Sequence, residues 1–325
     1  MLLHGKRALI MGVANKRSIA WGIARAFHRE GAQLAFTYQN ERLKENLVEL
    51  LADLGGVERF PIFPCDVQHD EQIDAAFAGL RAQWGALDVV VHCLAFAGRE
   101  ELARPFTQIS RQGYAQALEI SAYSLLRVAG AARPLLEAAG GGAILTLTYN
   151  AVTAVVPSYG VMAIAKAALE CEVRYLAAEL GPANIRVNAI SAGPLRTLAA
   201  SAVRGLSAFR DVVEEVAPLR RNITQEDVGD AAVFLASDLA RSVTGNTLFV
   251  DSGFHVMGAA GAVLGGTEVG PYLPSVLVGN VHFLLAGTGD VDIWARLVRP
   301  GITALVLSAL FLLLGYGRFR RQPLP

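Results

Sequence analysis

Cysteine is scarce in this chain. Cys65, Cys93 and Cys171 are its only three, they stand far apart, and none belongs to a CxxC pair. That excludes a disulfide framework and a zinc-ribbon spacing, and it fits a reducing compartment. The six histidines are equally dispersed, with no HExxH or HxxxH arrangement, so no metal site is expected. An excess of charge of either sign is also missing. Lys and Arg total 29 against 29 Asp and Glu, for a formal net charge of +0. A basic nucleic-acid surface is therefore excluded, as is an acidic, disordered chain. The first residues, Met1 to Lys6, lack the charged region, long apolar stretch and small-residue cleavage site of a secretory signal. The main domain is expected to stay in the cytoplasm, where it is made.

What the chain has in quantity is apolar residues, 53% of 325. That length suits one large domain with a smaller addition. Through the first 250 residues, roughly, short branched runs alternate with amphipathic stretches. The runs Arg7–Met11, Gln33–Tyr38, Phe60–Phe63, Asp88–His92, Ala143–Leu147, Arg186–Ile190 and Thr247–Val250 read as strands. Ser18–Glu30, Arg42–Leu54, Glu71–Trp84, Tyr114–Ala139 and Ser158–Leu180 read as helices. Parallel strands joined by crossover helices bury both faces of a sheet, which is why the strands are apolar throughout. The expectation is an α/β fold, a doubly wound parallel sheet of about seven strands, with ligands bound beyond the carboxyl ends of the strands.

The character changes after Gly258, dividing the chain into a main domain, 1–258, and an apolar extension, 259–325. The extension holds three acids (Glu268, Asp290, Asp292) and five arginines, and Gly301–Gly317 carries no charge. Those seventeen positions, as a helix, span about 25 Å, near the lower limit for a bilayer. Pro300 suits a first helical turn, and Tyr316, Arg318, Phe319, Arg320 and Arg321 suit an interface. A transmembrane helix at 301–317 is one reading; a buried helix covering the main domain or a dimer seam is the other. A second run, Tyr272–Gly287, is broken by Asn280 and His282. A hairpin of both runs keeps the main domain and the arginine tail on the cytoplasmic side.

The candidate chemistry lies at the strand ends. Gly12 closes the first strand, and the next turn delivers Ser18 and Ile19 at a helix start, with Gly22 one turn further. Free amides at such a start attract a pyrophosphate, and a glycine permits close backbone approach. The usual three-glycine fingerprint is absent, because Lys16 and Ser18 replace its second and third members. Gln39 follows the second strand, where an acid would read a ribose and a base a 2′-phosphate, so it selects neither. Asp66, after the third strand, either accepts from an adenine amino group or serves a turn. His92-Cys93-Leu94-Ala95 ends the fourth strand with small groups suited to a nicotinamide pocket.

Tyr159 and Lys166 are seven positions apart, which puts them on nearly one helical face, about 10.5 Å apart along the axis. Short-chain dehydrogenases commonly separate this pair by four, but the residue four before Lys166 is Met162, which donates no proton. An acid set back by a turn suits a conjugated substrate, where hydride lands on the β-carbon and the hydroxyl serves a more distant carbonyl oxygen.

In these residues the chain resembles the divergent short-chain dehydrogenase branch of NADH-dependent bacterial enoyl-acyl carrier protein reductases, from about Lys6 to Phe254. The marks are Gly12-Val-Ala with Ser18-Ile-Ala-Trp-Gly-Ile-Ala, Phe36-Thr-Tyr-Gln-Asn, Cys65-Asp-Val, the spacing of Tyr149, Tyr159 and Lys166, and the run Arg186 to Ala200. The resemblance implies a Rossmann-like fold and an NADH cradle, rather than an NADPH one, at Gly12, Ser18, Ile19, Gln39, Asp66, Val67, Leu94, Lys166, Leu195, Arg196, Thr197, Leu198 and Ala199. It also implies substrate contact near Ala97, catalysis by Tyr159, Lys166 and Tyr149, and a mobile substrate loop over Thr197–Ala217. Tyr159 is expected to donate to the thioester oxygen, with Lys166 favouring its phenolate side; Tyr149 shapes the pocket or relays a proton. Acyl carrier protein is the implied partner, and a homotetramer, with Ser158–Leu180 at a helix interface, the implied assembly. Cys93 and Ala95 replace the family's usual serine and glycine, and the extension is outside its pattern. In the membrane reading, the domain is anchored to the cytoplasmic face of the inner membrane. Two other readings stay open: a dehydrogenase acting on carbonyl substrates, and a membrane-bound NADH-binding protein with little turnover.

Overall fold

The computed structural model describes residues 1–197 and 206–257. The chain divides into two units, Met1–His255 and Val256–Pro325. The second falls outside the described residues except for Val256 and Met257, so 301–317 and the run Tyr272–Gly287 lie outside them too.

Seven strands form one parallel sheet in the order β3-β2-β1-β4-β5-β6-β7. They are β1 (Arg7–Met11), β2 (Gln33–Tyr38), β3 (Ile62–Pro64), β4 (Val89–His92), β5 (Gly142–Thr148), β6 (Ile185–Ala192) and β7 (Thr247–Val250). The order reverses direction between β1 and β4, which opens a crevice at their carboxyl ends. Leu9, Ile10, Val90, Val91, Ile144 and Leu145 are fully buried, as the unbroken apolar runs require of strands covered on both faces.

Nine α-helices are described: α1 (Ile19–Arg29), α2 (Glu41–Leu51), α3 (Asp70–Trp84), α4 (Arg99–Ala103), α5 (Arg111–Leu118), α6 (Ser124–Ala138), α7 (Gly160–Leu180), α8 (Leu206–Val216) and α9 (Gln225–Ala236). Two cores result, one per face. The first packs Trp21, Ile23 and Phe27 of α1 with Val228, Ala232 and Val233 of α9. The second packs Ile73 and Phe77 of α3 with Leu125 and Val128 of α6 and Leu169 and Val173 of α7.

Three expectations change in detail. The third strand starts two residues later than its apolar run, because Val57–Arg59 forms a tight 3-10 turn that consumes Phe60 as its cap. The expected helix over Tyr114–Ala139 starts earlier, at Arg111, where the Ser110 side chain accepts from the Gly113 amide. It is also interrupted by a π-turn, Glu119–Tyr123, which inserts an extra residue into the ladder without a sequence signature. Finally, α7 starts at Gly160, so Tyr159 is its cap residue, at φ −121° and ψ 6°, and not a helical one.

Gly22 also has a different task from the expected one. A Cβ there would lie 2.6 Å from Gln225 Cβ and 2.8 Å from its carbonyl oxygen, while a Cβ on Gly229 would lie 2.9 Å from the Gly22 oxygen. These glycines let α1 and α9 touch backbone to backbone, and Gly22 does not approach a phosphate site. Gly22→Val is expected to destabilise the fold by about 1–3 kcal/mol through overpacking. Gly130 of α6 has no atom within 4 Å of its virtual Cβ, so Gly130→Ala is expected to gain up to about 1 kcal/mol. Urea denaturation midpoints of the two variants check both signs.

Candidate active site

At the switch point, β1 ends in Gly12 at φ +94°, where a Cβ would sit 2.1 Å from the Cys93 carbonyl oxygen and 3.3 Å from Leu94 Cδ2. Only glycine fits that left-handed, crowded position. The turn after it is closed by Ser18, whose hydroxyl oxygen accepts from the amides of Ala14 and Asn15, both at 3.0 Å. Ser18 is the cap residue of α1 but gives that helix no side-chain bond. Instead Trp21 and Gly22 donate to its carbonyl, and Gln225 Nε2 donates to the same carbonyl at 2.6 Å. No acceptor among the described residues takes the Ile19 amide. An exposed amide at a helix start fits an anionic ligand, so the missing glycines are replaced by a serine clasp.

Beyond β2 and β3, Gln39 Nε2 donates to Asp66 Oδ2 at 3.0 Å, and Asp66 Oδ1 accepts from the Gln68 amide at 3.1 Å. Asp66 thus serves its own turn and holds Gln39. The Val67 side chain is buried in the second core, which leaves only its backbone for a ligand. Leu195 is buried, Arg196 is exposed and Thr197 half-buried. Leu198 and Ala199 lie outside the described residues, as does part of the expected loop, Thr197–Ala217.

The end of β4 departs from expectation at one residue. His92 does not line the crevice; it is fully buried. Burial, with the Lys166 charge, lowers its pKa to about 3, so the ring is neutral. Cys93 faces the start of α1, where the Ala20 amide donates to it, and burial pushes its thiol up to about 11. That thiol is a packing group and no nucleophile at neutral pH.

Tyr149 and Tyr159 meet, and Lys166 is tied to the strand that leads to Tyr149. Lys166 is buried, and its Nζ donates to the Leu147 carbonyl of β5 at 2.7 Å. Two residues further, Tyr149 leaves the strand in extended conformation. Its ring meets that of Tyr159 edge-on, with centroids 5.1 Å apart. Among the described residues the Tyr149 hydroxyl is buried without a partner, as a group left for a ligand would be. Tyr159 and Ala97 both pack against a small buried cluster of Leu102, Ala117, Val161 and Met162, so the expected acid and the expected substrate contact border the same cluster.

The charges of these groups follow from burial. The Lys166 amine is lowered to about 8 by burial, against which the Cys93 and Glu170 charges act weakly. The Tyr159 phenol is pushed up to about 12 by burial alone, and burial also raises that of Tyr149. Desolvation thus favours the neutral form of Tyr159 in the resting protein. Of three ammonium protons, Lys166 spends one on Leu147, which leaves two for a diol. Together with the Ile19 amide and the close approach at Gly12, this donor set fits a nicotinamide dinucleotide. Gln225, Ser121 and Ser124 also shape the site, yet no sequence motif announces them.

The enoyl-(acyl carrier protein) reductase family model matches residues 12–255. The NADH-dependent enoyl-acyl carrier protein reductases of Nostoc sp. and Bacillus cereus are each 52% identical, over 79% of this chain and 98% and 99% of their own. The crystal structure of the Bacillus cereus reductase, solved with NADP+ and an indole naphthyridinone, superposes with a TM-score of 0.77 at 52% identity, covering 79% of this chain and 99% of that one. The Anaplasma phagocytophilum reductase, solved with NAD, gives 0.75 at 46% identity, covering 79% and 97%. The chain belongs to the enoyl-acyl carrier protein reductase family.

Proposed function

We propose that the chain reduces trans-2-enoyl-acyl carrier protein thioesters to saturated acyl thioesters in fatty acid synthesis, using Tyr159, Lys166 and Tyr149. The observation that carries this assignment of roles is the contact of Tyr159 with Tyr149, whose hydroxyl is buried without a partner among the described residues, just beyond the strand carbonyl that holds the Lys166 ammonium. NADH, when bound, supplies the hydride. Gly12, Ile19 and Ser18 accommodate its pyrophosphate side, Gln39 and Asp66 its adenosine side, and Lys166 its nicotinamide ribose. The pair of Gln39 and Asp66 offers no cation to a 2′-phosphate, which supports NADH over NADPH.

As negative charge gathers on the thioester oxygen, the Tyr159 hydroxyl donates to it and the Lys166 ammonium adds a stabilising field. Tyr149, held edge-on against Tyr159, fixes that ring's orientation and bounds the pocket. Met162, four residues before Lys166, is buried and carries no acidic proton, which disfavours a carbonyl reductase. NADH oxidation with crotonyl but not acetoacetyl thioester, followed at about 340 nm, is the result expected for an oxyanion-assisted enoyl reduction.

Two finer points are proposals of their own. The charge-free stretch 301–317 supports anchoring of the reductase to the cytoplasmic face of the membrane; no described helix is long and apolar enough to cross one. Exposed Leu126 and Tyr175 on α6 and α7, with a Glu172 carboxyl raised to about 7 by burial and one oxygen without a partner, support self-association through these helices.

Tyr159→Phe is expected to lower turnover about a hundred- to a thousandfold while keeping NADH affinity, since one aimed oxyanion donor contributes about 2.7–4 kcal/mol. Unchanged single-turnover rates would remove Tyr159 from this role. For Lys166, the charged form exists below its pKa of about 8. NADH affinity in equilibrium titrations is therefore expected to fall as pH rises through that value, and Lys166→Met should abolish the pH step. In fractionated cells the full chain is expected in the membrane pellet after a high-salt wash and a form ending at Gly258 in the supernatant. Release of the full chain by salt alone contradicts the anchor.

A further inference from the structure

Behind the pocket lies a polar network that the proposed chemistry does not use. His92 Nε2 is 2.8 Å from Ser124 Oγ, and His92 Nδ1 is 3.1 Å from Thr146 Oγ1. His92, Ser121 and Ser124 have no exposed surface, and Thr146 has 1%. Ser124 has a single hydroxyl proton, which goes to the Ile120 carbonyl at 2.7 Å. Its oxygen is therefore the acceptor from His92, so Nε2 carries the ring proton and Nδ1 is bare. Thr146 Oγ1 lies 3.1 Å both from Nδ1 and from the His92 carbonyl oxygen, and in this tautomer its one proton turns to Nδ1. The opposite tautomer keeps the 3.1 Å bond from Thr146 to the His92 carbonyl but requires Ser124 to give up its shorter 2.7 Å bond to Ile120, so the Nε2–H form sacrifices the weaker of the two.

Ile120 and Ser121 belong to the π-turn Glu119–Tyr123, and Ser124 follows it. Ser121 reaches forward from the same turn. Its oxygen accepts from the Phe96 amide at 2.9 Å, and its proton points to the Phe96 carbonyl at 3.2 Å or the Met162 sulfur at 3.9 Å. The segment between these anchors, Cys93 to Ala97, has no ladder or helical bonds of its own. It is the segment that carries Leu94, against Gly12, and Ala97, packed on the same buried cluster as Tyr159. A π-turn widens the helix by one residue and re-aims its side chains; here it aims two serines at one loop.

We propose that His92 is a positioning residue: as the neutral Nε2–H tautomer it ties the end of β4 to the π-turn, which through Ser121 sets the wall from Leu94 to Ala97 against which the enoyl thioester lies. The inference rests on the reductase reading above. Gln reproduces the donor of Nε2 but not the acceptor of Nδ1, whereas Leu reproduces neither. His92→Leu should lower kcat/KM for crotonyl thioester by about tenfold or more, and His92→Gln should recover most of it, as expected when one directed bond does the positioning. Ser121→Ala, which leaves the buried ring untouched, should raise KM about three- to tenfold with the NADH dissociation constant within about twofold of wild type. In the unaltered protein, without cofactor or substrate, the 15N resonances of His92 should show a protonated Nε2 and a bare Nδ1 from about pH 5 to pH 8, a range in which a free imidazole titrates.

The proposal is overturned by a protonated Nδ1, by titration of His92 in that range, by equal losses in the Gln and Leu variants, or by a Ser121→Ala variant with wild-type KM. Unaltered protein that oxidises no NADH with the thioester overturns the functional reading instead, a result the tautomer measurement does not share.

Discussion

The site depends on one buried bond, from the Lys166 ammonium to the Leu147 carbonyl. An ammonium removed from water costs several kcal/mol unless its donors are used, and the lowering of its pKa to about 8 records that cost. The bond meets part of it by attaching the middle of α7 to the end of β5. Tyr149 is two residues beyond the accepting carbonyl, and Tyr159 lies at the cap of the donating helix. One contact therefore fixes the relative place of all three groups. The two uncommitted protons explain why the residue has to be lysine at a position where a carbon chain would pack more cheaply.

The two phenols then divide their tasks by environment. Both are raised by burial, but Tyr159 lies among apolar side chains, while Tyr149 also feels Tyr159 and Asp251. A phenol pushed up to about 12 is a reluctant acid in the resting protein and a ready donor to an oxygen acquiring full charge. Its hydrogen bond strengthens as the charge grows, which is the condition for lowering a barrier and not merely tightening binding. In the proposed reaction the Lys166 ammonium adds its field to that same oxygen.

Much of this arrangement was legible in the sequence because it is written in local pattern. Unbroken branched runs gave seven strands, all within two residues of their observed bounds, because a sheet buried on both faces demands them. The closeness of Tyr149 and Tyr159 was legible too, because a strand end and the helix start that follows it are local objects. What stayed hidden was long-range. Gly22 reads as a phosphate glycine until α9, some two hundred residues later, is seen pressing against it through Gln225. His92 reads as a pocket residue because alternation along β4 does not reveal that Ser124 and Thr146 wait on its inner side. The π-turn has no composition of its own, so an amphipathic stretch over Tyr114–Ala139 looked like one uniform helix.

The replacement of the family's serine and glycine by Cys93 and Ala95 is best understood from the same crowding. The Cys93 carbonyl is so close to Gly12 that the backbone there has no freedom to move toward or away from β1. A larger side chain at position 93 must turn to the α1 side, where the Ala20 amide receives its sulfur, and Ala95 turns outward to solvent. Both substitutions thus occupy directions the loop leaves open, while its inward directions are taken by His92 and by the Phe96 backbone. The wall tolerates changes in the side chains it presents because its backbone is held from behind, by groups that never meet the ligand.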